Sequence, residues 1–322
     1  MARFCLYPPV PDQSRANDLL ARLTWFFADI ELEEIRVFAE PGACSFDLFE
    51  CPDYLDTSIP DLYEKIRPAI TIRPFSMDSL GRPWDAVFLW QDLGEHHSFL
   101  REQLGKTRVW KVDPERTRME GSFWMEAHLA LSADKEATVS RTREQLNRCG
   151  DEFAGMDRAV IIGSGPSAKT YADFNYSGAL TLVCNSVVAD TELLDQIQPR
   201  VICFADPIFH FGPSRYAMDF RQRMREAFAR HRPWIVVPLK YHRFLVERIP
   251  EIADRLIGLP HAHRMNFNIN LRQGPQVKTT ANILSYLLLP FAATFARAQR
   301  FVLKFWDKTL AHFASGLGRK QK

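Results

Sequence analysis

The stretch Ala159-Val160-Ile161-Ile162-Gly163-Ser164-Gly165-Pro166-Ser167 decides how this chain is read. Its β-branched run, Val160-Ile161-Ile162, suits a strand buried on both faces of a parallel sheet. Gly163 and Gly165 allow positive φ and let a ligand approach the backbone without meeting a Cβ. Pro166 fits the first turn of a helix, where its missing N–H is no loss, and Ser167 adds a hydroxyl beside the free N–H groups. Strand, glycine turn and helix start together make an anion site of the kind nucleotide phosphates occupy. No third glycine follows, so the segment is neither the G-x-G-x-x-G fingerprint nor a P-loop.

Working outward, Leu180–Cys184 reads as a second strand ending at Asn185-Ser186. Arg200–Phe204 reads as a third, ending at Ala205-Asp206-Pro207. Taken singly, Asn185 and Asp206 are ordinary strand-end turn residues. Three polar or glycine-rich tips in succession instead predict the carboxyl edge of a parallel α/β sheet, where ligands bind.

The ordered series G-S-G-P-S at 163–167, C-N-S at 184–186 and A-D-P at 205–207 resembles the bacterial sialyltransferases that use CMP-sugars. It is equally similar to a wider group with the G-x-G-P-S loop, which includes motility-associated flagellin glycosyltransferases and an archaeal pterin pyrophosphokinase. The resemblance covers about residues 157 to 300. It implies that Gly163, Ser164, Gly165, Pro166 and Ser167 cradle the nucleotide phosphate and ribose, and that Asn185, with Ser186, bonds the CMP portion. Asp206 stands where those sialyltransferases have asparagine, so a ribose hydroxyl or a metal are its alternative partners. Val277–Asn282 is similar to the family's threonine-containing turn facing the sugar nucleotide, through Thr279 and Thr280. On chemistry alone either threonine also suits a helix N-cap.

Between the third strand and that turn, Phe204–Tyr216 is an aromatic segment punctuated by Pro and Gly and expected as a loop at the ligand edge. His210 there has the ordinary pKa for proton transfer to or from an acceptor or leaving group, against the alternative of a ring packed among phenylalanines. Arg215 and Lys278 could neutralise phosphate charge, with His261 and His263 as weaker candidates for the same work. Related chains continue into a further strand closing on a glycine and an aspartate, then a lid bearing the catalytic histidine. Here Arg300–Lys308 contains Asp307 near the expected aspartate, without the glycine and without a lid before Lys322.

The first half reads as a smaller α/β domain with strands at Arg3–Tyr7, Glu34–Phe38, Ala69–Arg73, Asp85–Trp90 and Arg108–Val112. Its clearest helix, Ala16–Phe27, carries Leu19, Leu20, Leu23 and Phe26 on one face. It has no glycine-rich phosphate loop, which points to an acceptor-binding or structural role. His96-His97 read as a solvated helix start. The charged stretch from Ala133 to Phe153 reads as a connecting helix. The predicted domains are 1–133, a linker helix at 134–156, and a Rossmann-like 157–322.

A net charge of +2 excludes a strongly basic nucleic-acid binder. The six cysteines show no zinc spacing and suit reduced cytosolic thiols. The apolar stretch 283–296 is too short for a bilayer and contains Pro290, so it reads as a buried helix. The expected protein is cytoplasmic, compatible with peripheral attachment at the inner membrane face. It is expected to transfer an acidic sugar from a CMP-sugar donor to a glycan acceptor with inversion, without a metal or other cofactor. Two alternatives stand beside it: a Mg²⁺-dependent diphosphate-transfer enzyme using Asp206, and a catalytically silent nucleotide-binding protein of a polysaccharide pathway.

Overall fold

The computed structural model describes residues 1–91, 100, 102, 104–105, 108–112, 117–132, 135–163, 171–172, 174–296 and 302–304. The chain divides into two compact units, Met1–Lys135 with Pro207–Asp219, and Glu136–Asp206 with Phe220–Lys322.

Unit 1 is built on the parallel strands β1 (Ala2–Val10), β2 (Leu32–Ala39), β3 (Ile70–Arg73), β4 (Ala86–Leu89) and β5 (Arg108–Lys111), in the order β3-β2-β1-β4-β5. All five coincide with strands expected from sequence. The Gln13–Phe27 helix starts at Asp12, whose side chain accepts the Arg15 N–H at 2.8 Å. The helix is buried well beyond the expected leucine face: Trp25, Phe27 and Thr24 are covered as well as Leu19, Leu20, Leu23 and Phe26. An aromatic core of Phe4, Phe27, Phe88 and Trp124 explains this, with ring centroids 4.6 to 5.7 Å apart.

Unit 2 carries β6 (Arg158–Ile162), β7 (Ala179–Cys184), β8 (Val201–Cys203), β9 (Trp234–Pro238) and β10 (Leu256–Leu259). Beyond β10 comes the small parallel pair β11 (His261–Ala262) and β12 (Val277–Lys278), and β13 (Val302–Lys304) returns to the main sheet. The six-stranded order is β10-β9-β8-β7-β6-β13, with every pairing parallel. Apart from half-buried Arg158, every residue of β6 through β10 is buried, as continuous apolar runs predict for a parallel sheet covered on both faces. Both units are thus Rossmann-like α/β sheets.

Two parts of the sequence reading change here. The Lys135–Glu152 helix is integral to unit 2 from Glu136 onward. Leu146 and Cys149 enter the core with Phe153, and the Thr142 hydroxyl donates to the Gly258 carbonyl at 2.8 Å. Its charges face outward, but its apolar stripe makes it a core element rather than a free linker. The Phe204–Tyr216 segment is not one loop. Pro207–Phe211 is a short helix, and Ser214 accepts the Ala217 N–H at 3.2 Å as the Arg215–His231 helix begins.

Pro207–Asp219 also belongs to unit 1, although it lies within the stretch expected as one C-terminal domain. Backbone bonds hold it there: Asp56 N–H to the Pro213 carbonyl at 2.6 Å, and Arg215 N–H to the Tyr54 carbonyl at 3.0 Å. The Trp25 indole donates to the Phe211 carbonyl at 2.9 Å, and a Cβ on Gly121 would come within 3.1 Å of Ile208.

Pro290 shapes the apolar 283–296 stretch. It has no N–H for the usual helical bond, and the chain forms a π turn over Leu284–Leu288 in which the Leu289 N–H reaches the Leu284 carbonyl. The Leu289–Phe295 helix follows, and Leu287, Leu288, Phe291 and Ala292 are fully buried in the unit 2 core. Among the described residues no helix is long and apolar enough to cross a membrane.

Candidate functional site

In unit 2 the strand order runs outward from β6 through β7 to β10 on one side and to β13 on the other. The chain order therefore reverses at β6, and a parallel α/β sheet opens a crevice at the carboxyl ends where that happens. β6 ends at Ile162 and passes into Gly163, which is buried. Ser164, Gly165, Pro166 and Ser167 lie outside the described residues.

β7, the neighbour of β6, ends at Cys184, and Asn185 then takes φ +50°. A left-handed backbone is unfavourable for most side chains and best tolerated by asparagine among residues with a Cβ. The Asn185 amide oxygen is buried and, among the described residues, without a hydrogen-bond partner. A buried, unsatisfied amide oxygen costs about 1–3 kcal/mol, so its position asks for a donor group. Ser186 follows, exposed, in the 3-10 turn Asn185–Ala189.

The β8 tip is held from behind. Phe204 N–H continues the ladder to the Val236 carbonyl at 3.0 Å, and the buried Tyr241 hydroxyl donates to the Ala205 carbonyl at 3.1 Å. Asp206 comes next, half-buried, on the same carboxyl edge. Tyr241 was not singled out from sequence; no local pattern marks a tyrosine as the support of a strand tip.

The threonine turn is positioned by β11 and β12. Thr279 N–H donates to the Ala262 carbonyl at 3.0 Å. The Thr280 hydroxyl donates to the Asn282 carbonyl at 3.0 Å and lies 2.8 Å from the Ser285 hydroxyl. The Asn282 side chain accepts the Leu284 N–H at 2.8 Å. Asn282, rather than either threonine, therefore opens the helical run. Thr280 is occupied in bracing that turn, whereas the Thr279 hydroxyl oxygen is buried without a partner. Ser285 also went unremarked in the sequence, although a serine inside Ile283–Leu289 is the signal that could have drawn attention. The π turn contacts β7 and the following helix contacts β6 and β7, so this turn leads into the element covering the two strands at the switch point. Lys278 is exposed, and the half-buried His261 ring sits 6.3 Å from both His263 and Tyr286.

Unit 2 thus brings Gly163, Asn185, Ser186 and Asp206 to successive tips of neighbouring strands, with Thr279 and Thr280 on the segment that follows β10. Such an edge, small at β6 and offering unsatisfied amide and hydroxyl oxygens, can accept donor groups of a sugar or base. His210 and Arg215 are grouped with unit 1. His210 is 5 % exposed, with its ring 5.9 Å from that of Phe211, which favours the packed reading over that of a solvent-facing base. His96, His97 and Asp307 lie outside the described residues.

The lowered pKa values in this unit belong to histidines elsewhere. His242, on the Leu239–Arg248 helix, is held down to about 4 by burial, reinforced by the charges of Arg141 and Arg243 and opposed by the Leu256 backbone. Its Cβ would lie 2.7 Å from a Cβ at Gly258, so only glycine lets helix and strand approach this closely. This ring packs against β10 near the carboxyl end of that strand. Comparison with known proteins finds no matching family model, curated protein or solved structure.

Proposed function

We propose that this chain is a nucleotide-sugar transferase that takes an acidic sugar from a CMP-sugar and passes it to a glycan or glycoconjugate hydroxyl. The observation that carries the reading is Asn185: a left-handed residue with a buried, partnerless amide oxygen, on the strand beside the one that ends in the glycine turn. That is the placement expected for a group reading the exocyclic amine of cytosine. The order of the G-S-G-P-S, C-N-S and A-D-P tips supports the same assignment. In this mechanism the glycine-turn N–H groups hold the phosphate. The acceptor oxygen forms its bond to the anomeric carbon as the bond from that carbon to the phosphate oxygen breaks. CMP leaves with the electron pair, the centre inverts, and the acceptor proton passes to the Asp206 carboxylate.

The test is a thermal-shift and calorimetry panel of CMP, UDP, GDP and ATP, each with EDTA or Mg²⁺. CMP is expected to raise the melting temperature in EDTA, since a ligand at a hundred times its Kd adds about 2.7 kcal/mol to stability. Asn185→Gly keeps the left-handed backbone while deleting the amide, so it should fold normally and bind CMP about tenfold more weakly. Mg²⁺-dependent ATP binding without CMP binding would replace this reading with diphosphate transfer.

A further inference from the structure

Unit 2 has a cavity of about 410 Å³ beyond the turn that follows β7. It lies between the Thr191–Ile197 helix and the 220–231 part of the Arg215–His231 helix. That size falls within the range of small-molecule sites. Val188, Leu194 and Ala227 give it an apolar floor.

Its charged wall comes from one helix, in which Arg223, Glu226 and Arg230 recur at three- and four-residue spacing and His231 follows. Two of these groups are already engaged. Arg230 pairs with Asp195 at 2.6 Å, and the other Asp195 oxygen lies 3.4 Å from His231 Nε2. The His231 side chain is only 3 % exposed, and burial, with Arg230 beside it and Asp195 opposing, keeps its pKa below the ordinary value. At neutral pH it adds no charge to the cavity.

The remaining charges are one cation and one anion a single helical turn apart. Neither Arg223 nor Glu226 forms an ion pair among the described residues, and Glu226 accepts only the neutral Gln222 amide, at 2.9 Å. A plain anion would meet Glu226 and a plain cation would meet Arg223. A ligand bearing both charges on adjacent atoms, with an apolar body for the floor, satisfies all three features.

We propose that this groove binds a free α-amino acid with an apolar side chain, its carboxylate on Arg223, its ammonium on Glu226 and its side chain over Leu194 and Ala227. The site is lined in part by Val188 and Ala189 of the turn that follows Asn185, but it uses none of the residues assigned to the nucleotide and does not depend on the transferase reading.

The experiment is calorimetry on the full chain with L-phenylalanine, 3-phenylpropanoate, which lacks the ammonium, and phenethylamine, which lacks the carboxylate. L-Phenylalanine is expected to bind at least tenfold more tightly than either analogue. Arg223→Gln should weaken L-phenylalanine about tenfold and leave phenethylamine unchanged, and Glu226→Gln should likewise weaken L-phenylalanine about tenfold and leave 3-phenylpropanoate unchanged. Both positions are exposed, so both variants should fold as the parent does. No binding of L-phenylalanine at millimolar concentration, equal binding of the three compounds, or unchanged binding in both variants would overturn the proposal.

Discussion

At the tip of β1, in unit 1, the Trp90 indole donates to the Pro8 carbonyl at 2.6 Å, and Arg15 lies over the Trp90 ring at 5.3 Å. At the tip of β7, in unit 2, the Asn185 amide oxygen is buried with no bonding partner among the described residues. In both sheets the chain order reverses, in unit 1 between the central β1 and β4 and in unit 2 between β6 and the edge strand β13. The topology that creates a ligand crevice is therefore present twice. What differs is how each tip is finished. Unit 1 uses a tryptophan to satisfy the Pro8 carbonyl, while unit 2 uses a glycine and small polar groups, with acceptors unmet among the described residues. Strand order supplies the place for a ligand, and the residues at the strand ends decide whether the protein fills that place itself.

The most forceful way to break the comparison is at the glycine turn. Gly165→Val puts a β-branched side chain where a phosphate would approach and opposes positive φ. With two or more charge-assisted bonds lost, about 3 kcal/mol or more, CMP affinity should fall by roughly 100-fold or beyond. The fold, followed by circular dichroism, should persist. A folded Gly165→Val protein with undiminished CMP affinity would remove the special status of the unit 2 tip.

Acid should then separate the two sheets. His242 in unit 2 titrates near 4 in the folded protein and near 6.5 when exposed. Below pH 6.5 the unfolded chain gains a proton that the folded ring refuses until about pH 4. Its contribution is whole above pH 6.5 and is lost across that window, by about 3 kcal/mol. The buried His231 ring, also lowered, adds to the same slope. Urea melts of the parent between pH 7 and 4 should show this loss. His242→Leu should flatten most of it, and an unchanged slope would mean that other groups set the acid limit.

The smallest effect belongs to unit 1. Trp90→Phe keeps an aromatic ring but removes the bond to Pro8 and part of the buried indole, at a cost of about 1–2 kcal/mol. Urea melts should register that loss while calorimetry finds CMP affinity unaltered. A drop in CMP affinity would show that the closed tip, too, serves the nucleotide.

Much of this molecule could be read from its sequence. All five strands of unit 1, and β6, β7 and β8 of unit 2, coincide with β-branched or apolar runs, because strand formation answers to side-chain shape and alternation within a few residues. β9 and β10 escaped attention, although Trp234-Ile235-Val236-Val237 carries the same signal. Gly163, Asn185 and Asp206 were legible as the residues at or just after strand ends because turn chemistry is also local. Tertiary structure decided what local preference cannot. It placed β13 against β6, assigned Pro207–Asp219 and His210 to unit 1, and drew the Glu136–Glu152 stretch into the unit 2 core. It also gave the helix-opening role to Asn282, leaving the Thr279 hydroxyl without a partner. The choice of Asn282 over the threonines is settled by short-range bonds among residues 280–285. The strand pairing and the unit assignments rest on hydrogen bonds and packing between residues far apart in the chain. Their free energy belongs to the assembled core and has no counterpart in any short segment.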